Sequence, residues 1–185
     1  TCRRQRQMCI RDSNNIIQSG IGAGSIIVAS SGNNGANLAS NPRYPACYNG
    51  VICVANTTSS DTKAGSSNYG TRIDVAAPGS SILSTIPYNG YDTKSGTSMS
   101  APMVAGLLGL MKSFSPNASN DQLISCMKNS CDNIDALNPS YAGLLGSGRI
   151  NAYKALLCLS PPTADFYVRN QDSCSGEIQF FDATL

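Results

Sequence analysis

The chain alternates short apolar runs of strand length with longer apolar stretches of helical length. Ser25-Ile26-Ile27-Val28-Ala29 is a continuous apolar run bounded by Gly and Ser, which suits a strand buried on both faces of a parallel sheet. Before it, Asn14 to Ser19 reads as the tail of a helix, with Gly20, Gly22 and Gly24 as its stop and the turn beyond. Further strands are expected at Val51–Ala55, at Ile82–Thr85 and at Tyr91–Lys94, the last two joined as a hairpin through Pro87-Tyr88-Asn89-Gly90. Met103, Val104, Leu107, Leu108, Leu110, Met111 and Phe114 cover more than one face of a helix that begins just after Gly96, so that helix is expected to be central and buried. Gly106 and Gly109 would each cost about 1 kcal/mol relative to alanine in an exposed helix, and are expected where a neighbouring backbone packs close. Another helix starts at Ser119-Asn120-Asp121-Gln122, and the last runs from about Asn151 to Leu159.

Helix, turn, buried strand is an α/β signature, and the chain's length allows one sizeable core. Ser160-Pro161-Pro162-Thr163 reads as a linker, because consecutive prolines end a helix and favour extended backbone. Beyond it, Ala164–Val168 and Glu177–Asp182 read as two strands with Cys174-Ser175-Gly176 between them, too few to fold alone. No apolar run approaches the roughly 20 residues needed to cross a membrane as a helix.

Composition changes the picture at three points. The chain contains no histidine. Its first residues, Arg3-Arg4-Gln5-Arg6-Gln7-Met8-Cys9-Ile10-Arg11-Asp12-Ser13, resemble the conceptual translation of a transposase-type sequencing adapter, so residues 1–13 are expected to be non-native and are set apart from the fold. Without them the positive count goes from 13 to 9 and the negative count from 11 to 10, so the net charge moves from +2 to −1 and nothing suggests nucleic acid or an anionic surface as a partner. Cys47, Cys53, Cys126, Cys131, Cys158 and Cys174 then remain, with no Cys-x-x-Cys pair, and read as disulfide formers of an exported protein. Cys126 with Cys131, or either with Cys158, would staple the last two helices together.

The candidate chemistry centres on Ser98. Gly96-Thr97-Ser98-Met99-Ser100-Ala101-Pro102 places a small nucleophile in the first turn of an apolar helix, at the positive end of its dipole, and Pro102 is tolerable so near the start. Continued through Met103-Val104-Ala105-Gly106, the stretch resembles the nucleophile motif of the subtilisin family of serine peptidases, in which this serine attacks the scissile carbonyl. Gly-Thr-Ser-Met-Ser does not fit the Gly-x-Ser-x-Gly elbow of the esterases.

Val28-Ala29-Ser30-Ser31-Gly32-Asn33 resembles the segment of that family whose asparagine donates its side-chain amide to the oxyanion, which makes Asn33 the second catalytic candidate. Ser31 and Gly32 beside it are expected to line the substrate site. The turn-forming bias of Gly-Asn-Asn-Gly explains Asn34 without any chemistry. Asn41-Pro42-Arg43-Tyr44-Pro45 resembles the edge of the family's primary specificity pocket, whose Tyr-Pro bond is often cis. Arg43 falls where the best-known members carry glycine, so it either narrows the pocket or favours an acidic substrate residue, with a solvated loop arginine as the plain alternative. Thr97 is expected to add a hydroxyl near the oxyanion, a role compatible with a helix N-cap. Ser67-Asn68-Tyr69-Gly70, Ile73-Asp74-Val75-Ala76-Ala77-Pro78-Gly79 and Gly146-Ser147-Gly148-Arg149-Ile150-Asn151-Ala152 match the family's path. In the last of these the glycines form a turn before the final helix. Asp74 does not match the Asp-Ser/Thr-Gly motif of the triad acid and is expected to be a loop or edge residue.

The resemblance implies an α/β fold: the C-terminal part of a three-layer subtilisin-like domain over residues 14–159, with a mainly parallel sheet. The linker at 160–163 then leads into the start of a PKD-type β-sandwich at 164–185, whose Ala-Asp-Phe, Cys-x-Gly and Ile-Gln-Phe pattern carries that likeness. It implies a serine endopeptidase acting on protein or peptide substrates, bacterial, secreted or at the cell surface, and monomeric. It implies no cofactor in the chemistry, although structural calcium is common in the family and no acidic cluster here specifies a site. A hydroxyl nucleophile needs a base, so the histidine and the aspartate that orients it must come from upstream. The chain is thus expected to be cut at both ends and, as it stands, inactive. The alternative is a non-catalytic binding or adhesion module on the same fold; it fits the missing histidine but not a retained nucleophile and oxyanion donor.

Overall fold

A computed structural model describes the backbone of residues 2–160, 166–168 and 180–182, and the side chains of residues 9–160. Three parallel strands, β1 (Ile27–Ser30), β2 (Val51–Thr57) and β3 (Val75–Pro78), form the central sheet in the order β1-β2-β3. The register sets Ile27 beside Val51 and Val54 beside Val75. β2 is buried along its whole length, as its unbroken apolar run requires. An antiparallel hairpin, β4 (Ile82–Ile86) with β5 (Gly90–Lys94), follows β3 and delivers the chain to Gly96.

Helices cover the sheet in two layers. On one face α2 (Thr97–Phe114), α3 (Asn120–Asn129) and α4 (Ala152–Leu159) bury Val104, Leu107, Leu108, Met111, Leu123 and Met127 against Ile52, Val54 and Val75. Each such side chain contributes about 1.5–3 kcal/mol on leaving water. On the other face α1 (Cys2–Gly22) and the long loops around β2 enclose Leu38, Tyr48, Cys53, Ile73, Ile134 and Leu145. The capping box of Ser119 with Gln122 starts α3, and the Asn151 side chain caps α4 by accepting from Lys154 N–H.

The structure departs from the sequence expectations at several points. The first helix is continuous from Cys2 to Gly22, so residues set apart as non-native lie in it. Ile10 and Ile17 pack on the core, and the Tyr48 hydroxyl donates to Ile10 O at 2.6 Å. Strand β1 is only partly buried, because no strand pairs with its outer edge among the described residues. Helix α2 is not buried all round: Ala105, Gly106, Gly109, Leu110 and Phe114 face outward. A Cβ added at Gly106 or Gly109 would meet nothing within 4 Å, so close backbone packing does not explain either glycine. The glycines before α4 do form a tight turn. Gly146 (φ +69°) and Gly148 (φ +107°) lie against the carbonyls of Asp74 and Asp132, where a side chain has no room.

Of the disulfides considered, Cys126–Cys158 is formed and ties α3 to α4. Cys131 instead directs its Sγ to Met127 O at 3.3 Å. Burial, then the neighbouring Cys47 and Asp74, push the Cys53 thiol up to about 12, so it packs as a small neutral group. The Tyr44–Pro45 bond is cis. Strands β6 (Phe166–Val168) and β7 (Phe180–Asp182) pair antiparallel; the remainder of the expected sandwich, with Cys174, lies outside the described residues.

Candidate active site

The site forms where β1 ends and α2 begins. After Ser30 the chain leaves the sheet through Ser31-Gly32-Asn33, at the carboxyl end of a parallel strand. From the other side, Gly79 O accepts from Gly96 N–H at 2.7 Å, and the Ser100 hydroxyl donates to Ala77 O at 3.0 Å, so the first turn of α2 is pinned to the end of β3. Residues 64 apart in sequence thereby meet.

Asn33 is exposed, but its carbonyl oxygen is committed. Asn33 Oδ1 accepts from Thr97 N–H at 2.9 Å and from the Thr97 hydroxyl at 3.1 Å. A backbone N–H can only meet an oxygen here, so the amide's orientation is fixed and Nδ2 is left as the outward donor. Gly96, with φ +153°, lies beneath that donor, where an added Cβ would stand 3.2 Å from Asn33 Nδ2. Ser98, the second residue of α2, is exposed, and its amide is among those a helix leaves without an intrahelical acceptor. One small region of surface thus carries a hydroxyl, a side-chain N–H donor and the positive end of a helix.

The other candidate residues have different roles. Thr97 is fully buried; its hydroxyl donates to Asn33 and accepts from Gly32 N–H at 3.2 Å, so it holds the loop. Ser31 is also fully buried, its N–H given to Val54 O at 3.0 Å and its carbonyl taken by Asn68 Nδ2 at 2.8 Å, which leaves Gly32 and Asn33 as the outward part of the segment. Arg43 is exposed, and its Cγ lies 3.6 Å from where a Cβ on Gly32 would stand. With Ile10, Ile17, Tyr44 and Tyr48 it lines an open groove of about 740 Å³ between α1 and the Pro42–Tyr48 loop.

Asp74 is structural. Its Oδ2 accepts from Cys53 N–H at 2.8 Å and its Oδ1 pairs with Lys128 Nζ at 2.7 Å, so it extends the ladder between β2 and β3. Asp132 pairs with Arg149 and Lys154, and Asp61 with Arg149. Among the described residues no group of three or more His, Cys, Asp or Glu lies together.

Residues 3–148 match the subtilase family, peptidase S8. The chain belongs to the subtilase family. It is 46% identical to thermitase of Thermoactinomyces vulgaris over 133 residues, covering 72% of this chain and 44% of thermitase. It is 37% identical to an extracellular protease of Xanthomonas campestris pv. campestris over 156 residues, covering 80% of this chain and 26% of that protein. A protease from Pseudoalteromonas arctica superposes with a TM-score of 0.71 at 32% identity, over 80% of this chain and 46% of that one, and so supports the subtilisin-like α/β fold with its parallel sheet. The chain spans less than half the length of these curated relatives. Among the described residues of this subtilase no helix is long and apolar enough to cross a membrane.

Two features of the site escape sequence reasoning. Thr97 holds Asn33, and Asn68 supports the loop from below. Both depend on contacts between distant loops, and neither residue falls in a periodic pattern; only the polar Ser67-Asn68 between two buried stretches hints at the second.

Proposed function

We propose that this chain carries the nucleophile and oxyanion donors of a serine endopeptidase of subtilisin type. Ser98 Oγ attacks the scissile carbonyl of a protein or peptide substrate, its proton passing to a histidine that this histidine-free chain does not supply. An aspartate, also from outside these residues, orients that histidine. The carbonyl oxygen becomes an oxyanion, accepting from Asn33 Nδ2 and Ser98 N–H. The supporting observation is the Thr97–Asn33 pair, which turns the amide nitrogen outward beside the nucleophile. Removing such a donor costs about 100- to 1000-fold in kcat, a magnitude that comes from subtilisin itself and is carried over within the family.

Ser31, Gly32, Arg43 and Thr97 shape the substrate side of the site, Ser31 and Thr97 from beneath the surface. Arg43, reaching from Gly32 into the groove beside α1, favours an acidic substrate side chain there. The Cys126–Cys158 disulfide fits an oxidising compartment, hence a bacterial protein secreted or held at the cell surface. The chemistry needs no cofactor, and the chain acts as a monomer. The 185 residues alone are inactive for want of the base.

A fluorophosphonate probe tests the nucleophile in the longest natural polypeptide that contains these residues. It should label that protein and fail to label Ser98→Ala. Absence of labelling in the folded parent would favour the non-catalytic binding module. Cleavage profiling of Arg43→Gly tests the pocket: an unmoved preference rejects the role given to Arg43.

A further inference from the structure

The loop that bears Asn33 is held from below by a residue the reaction never touches. Asn68 is fully buried, and its backbone N–H and both ends of its amide are spent on one segment. Its N–H donates to Gly32 O at 2.9 Å and its Nδ2 donates to Ser31 O at 2.8 Å. Its Oδ1 accepts from Asn34 N–H at 3.1 Å and from Ala36 N–H at 2.9 Å. The four bonds grip the loop on both sides of Asn33. The fit is close: at Gly32, with φ +100°, an added Cβ would stand 2.7 Å from Asn68 Nδ2. The clamp is itself anchored, since the Ser67 hydroxyl donates to Asn68 O at 3.0 Å and accepts from Asn56 N–H in β2 at 2.9 Å.

We propose that Asn68 is a positioning residue for the oxyanion donor, fixing the backbone of Ser31–Ala36 so that Thr97 can aim the Asn33 amide. The inference rests on the peptidase reading. Electrostatic stabilisation of an oxyanion depends on a donor set in place before the reaction, and a loop free to shift by a fraction of an ångström loses it. Asparagine suits the position because one short planar group supplies both a donor and an acceptor. Aspartate would set a charge against Ser31 O, and an apolar residue would leave loop amides unpaired in the interior.

The test is a double-mutant cycle on the natural polypeptide with its complete triad, measuring kcat and KM for a peptide substrate alongside thermal unfolding. Asn68→Ala should lower kcat by on the order of tenfold or more with KM within about twofold, and the loss should shrink below about twofold in an Asn33→Ala background, where no donor remains to be aimed. Equal losses in both backgrounds, a loss confined to KM, or no loss at all would overturn the proposal. If Asn68→Ala does not fold, Ser67→Ala removes the anchor beneath the same clamp and enters the cycle with the same expectations. An unchanged kcat in Asn33→Ala alone instead overturns the oxyanion reading, and this proposal with it.

Discussion

Thr97 and Asn33, 64 residues apart, are joined by two hydrogen bonds to a single oxygen, at 2.9 Å from the Thr97 amide and 3.1 Å from its hydroxyl. The threonine thereby decides which end of the asparagine amide faces outward. Thr97→Val preserves the shape but removes the hydroxyl, leaving Gly32 N–H without its acceptor. It should cost about 1–3 kcal/mol of stability and lower kcat in the natural polypeptide. Thr97→Ser should restore both. A kcat equal to the parent's in Thr97→Val would show that the amide is aimed by other contacts.

Asp74 should be dispensable for chemistry. Its pair with Lys128 is partly exposed and contributes about 0–1 kcal/mol, whereas its bond to Cys53 N–H satisfies a donor within the core. Asp74→Ala should therefore lose about 1–3 kcal/mol in denaturant titration. Fluorophosphonate labelling of Ser98 should persist wherever the variant is folded; loss of labelling in a folded Asp74→Ala would give Asp74 a part in catalysis.

Asp132 gives the chain an acid-sensitive joint. Hydrogen bonds from Lys154 and then Asn151, with Arg149 also donating, hold its carboxyl down at about 2. The folded-state value lies below the unfolded one, so its contribution is present above about pH 4 and is lost as pH falls through about 2. Melting temperature measured across this window should fall more steeply in the parent than in Asp132→Asn. Parallel curves would place the acid sensitivity elsewhere.

Two classes of glycine should respond in opposite ways. Gly146→Ala and Gly148→Ala place a Cβ against a backbone carbonyl at positive φ, and each should cost more than about 2 kcal/mol. Gly109→Ala in the 185-residue chain adds a methyl in open space on a helix and should be neutral or stabilising by up to about 1 kcal/mol. Thermal unfolding of the three variants checks the contrast.

Local chemistry made much of the fold readable in advance. The apolar run of β2, the turn-forming Pro87–Gly90 of the hairpin and the helix starts at Ser119 and Asn151 all depend on a few neighbouring residues, and each appears near its expected place. The extent of α1 lay outside the reading because residues 1–13 resemble adapter translation, while the helix is held by contacts of Ile10 and Ile17 to Tyr48 and the core. Helix α2 misled in the other direction. An all-apolar helix need not be surrounded, and Ala105, Gly106, Gly109 and Leu110 are exposed.

The sequence by itself determined the α/β class, strands β1, β2, β4 and β5, helices α2, α3 and α4, and Ser98 at the start of α2, because propensity, apolar periodicity and capping are short-range properties; β3 showed no such signal. Tertiary structure alone decided that Cys126 bonds Cys158 and not Cys131, that Asp74 serves the sheet, that Thr97 turns the Asn33 amide outward, and that Asn68 grips the loop beneath it. Those are choices among partners tens of residues away. Many pairings suit the residue types equally well, and only packing of the sheet and helices brings one set within hydrogen-bonding distance.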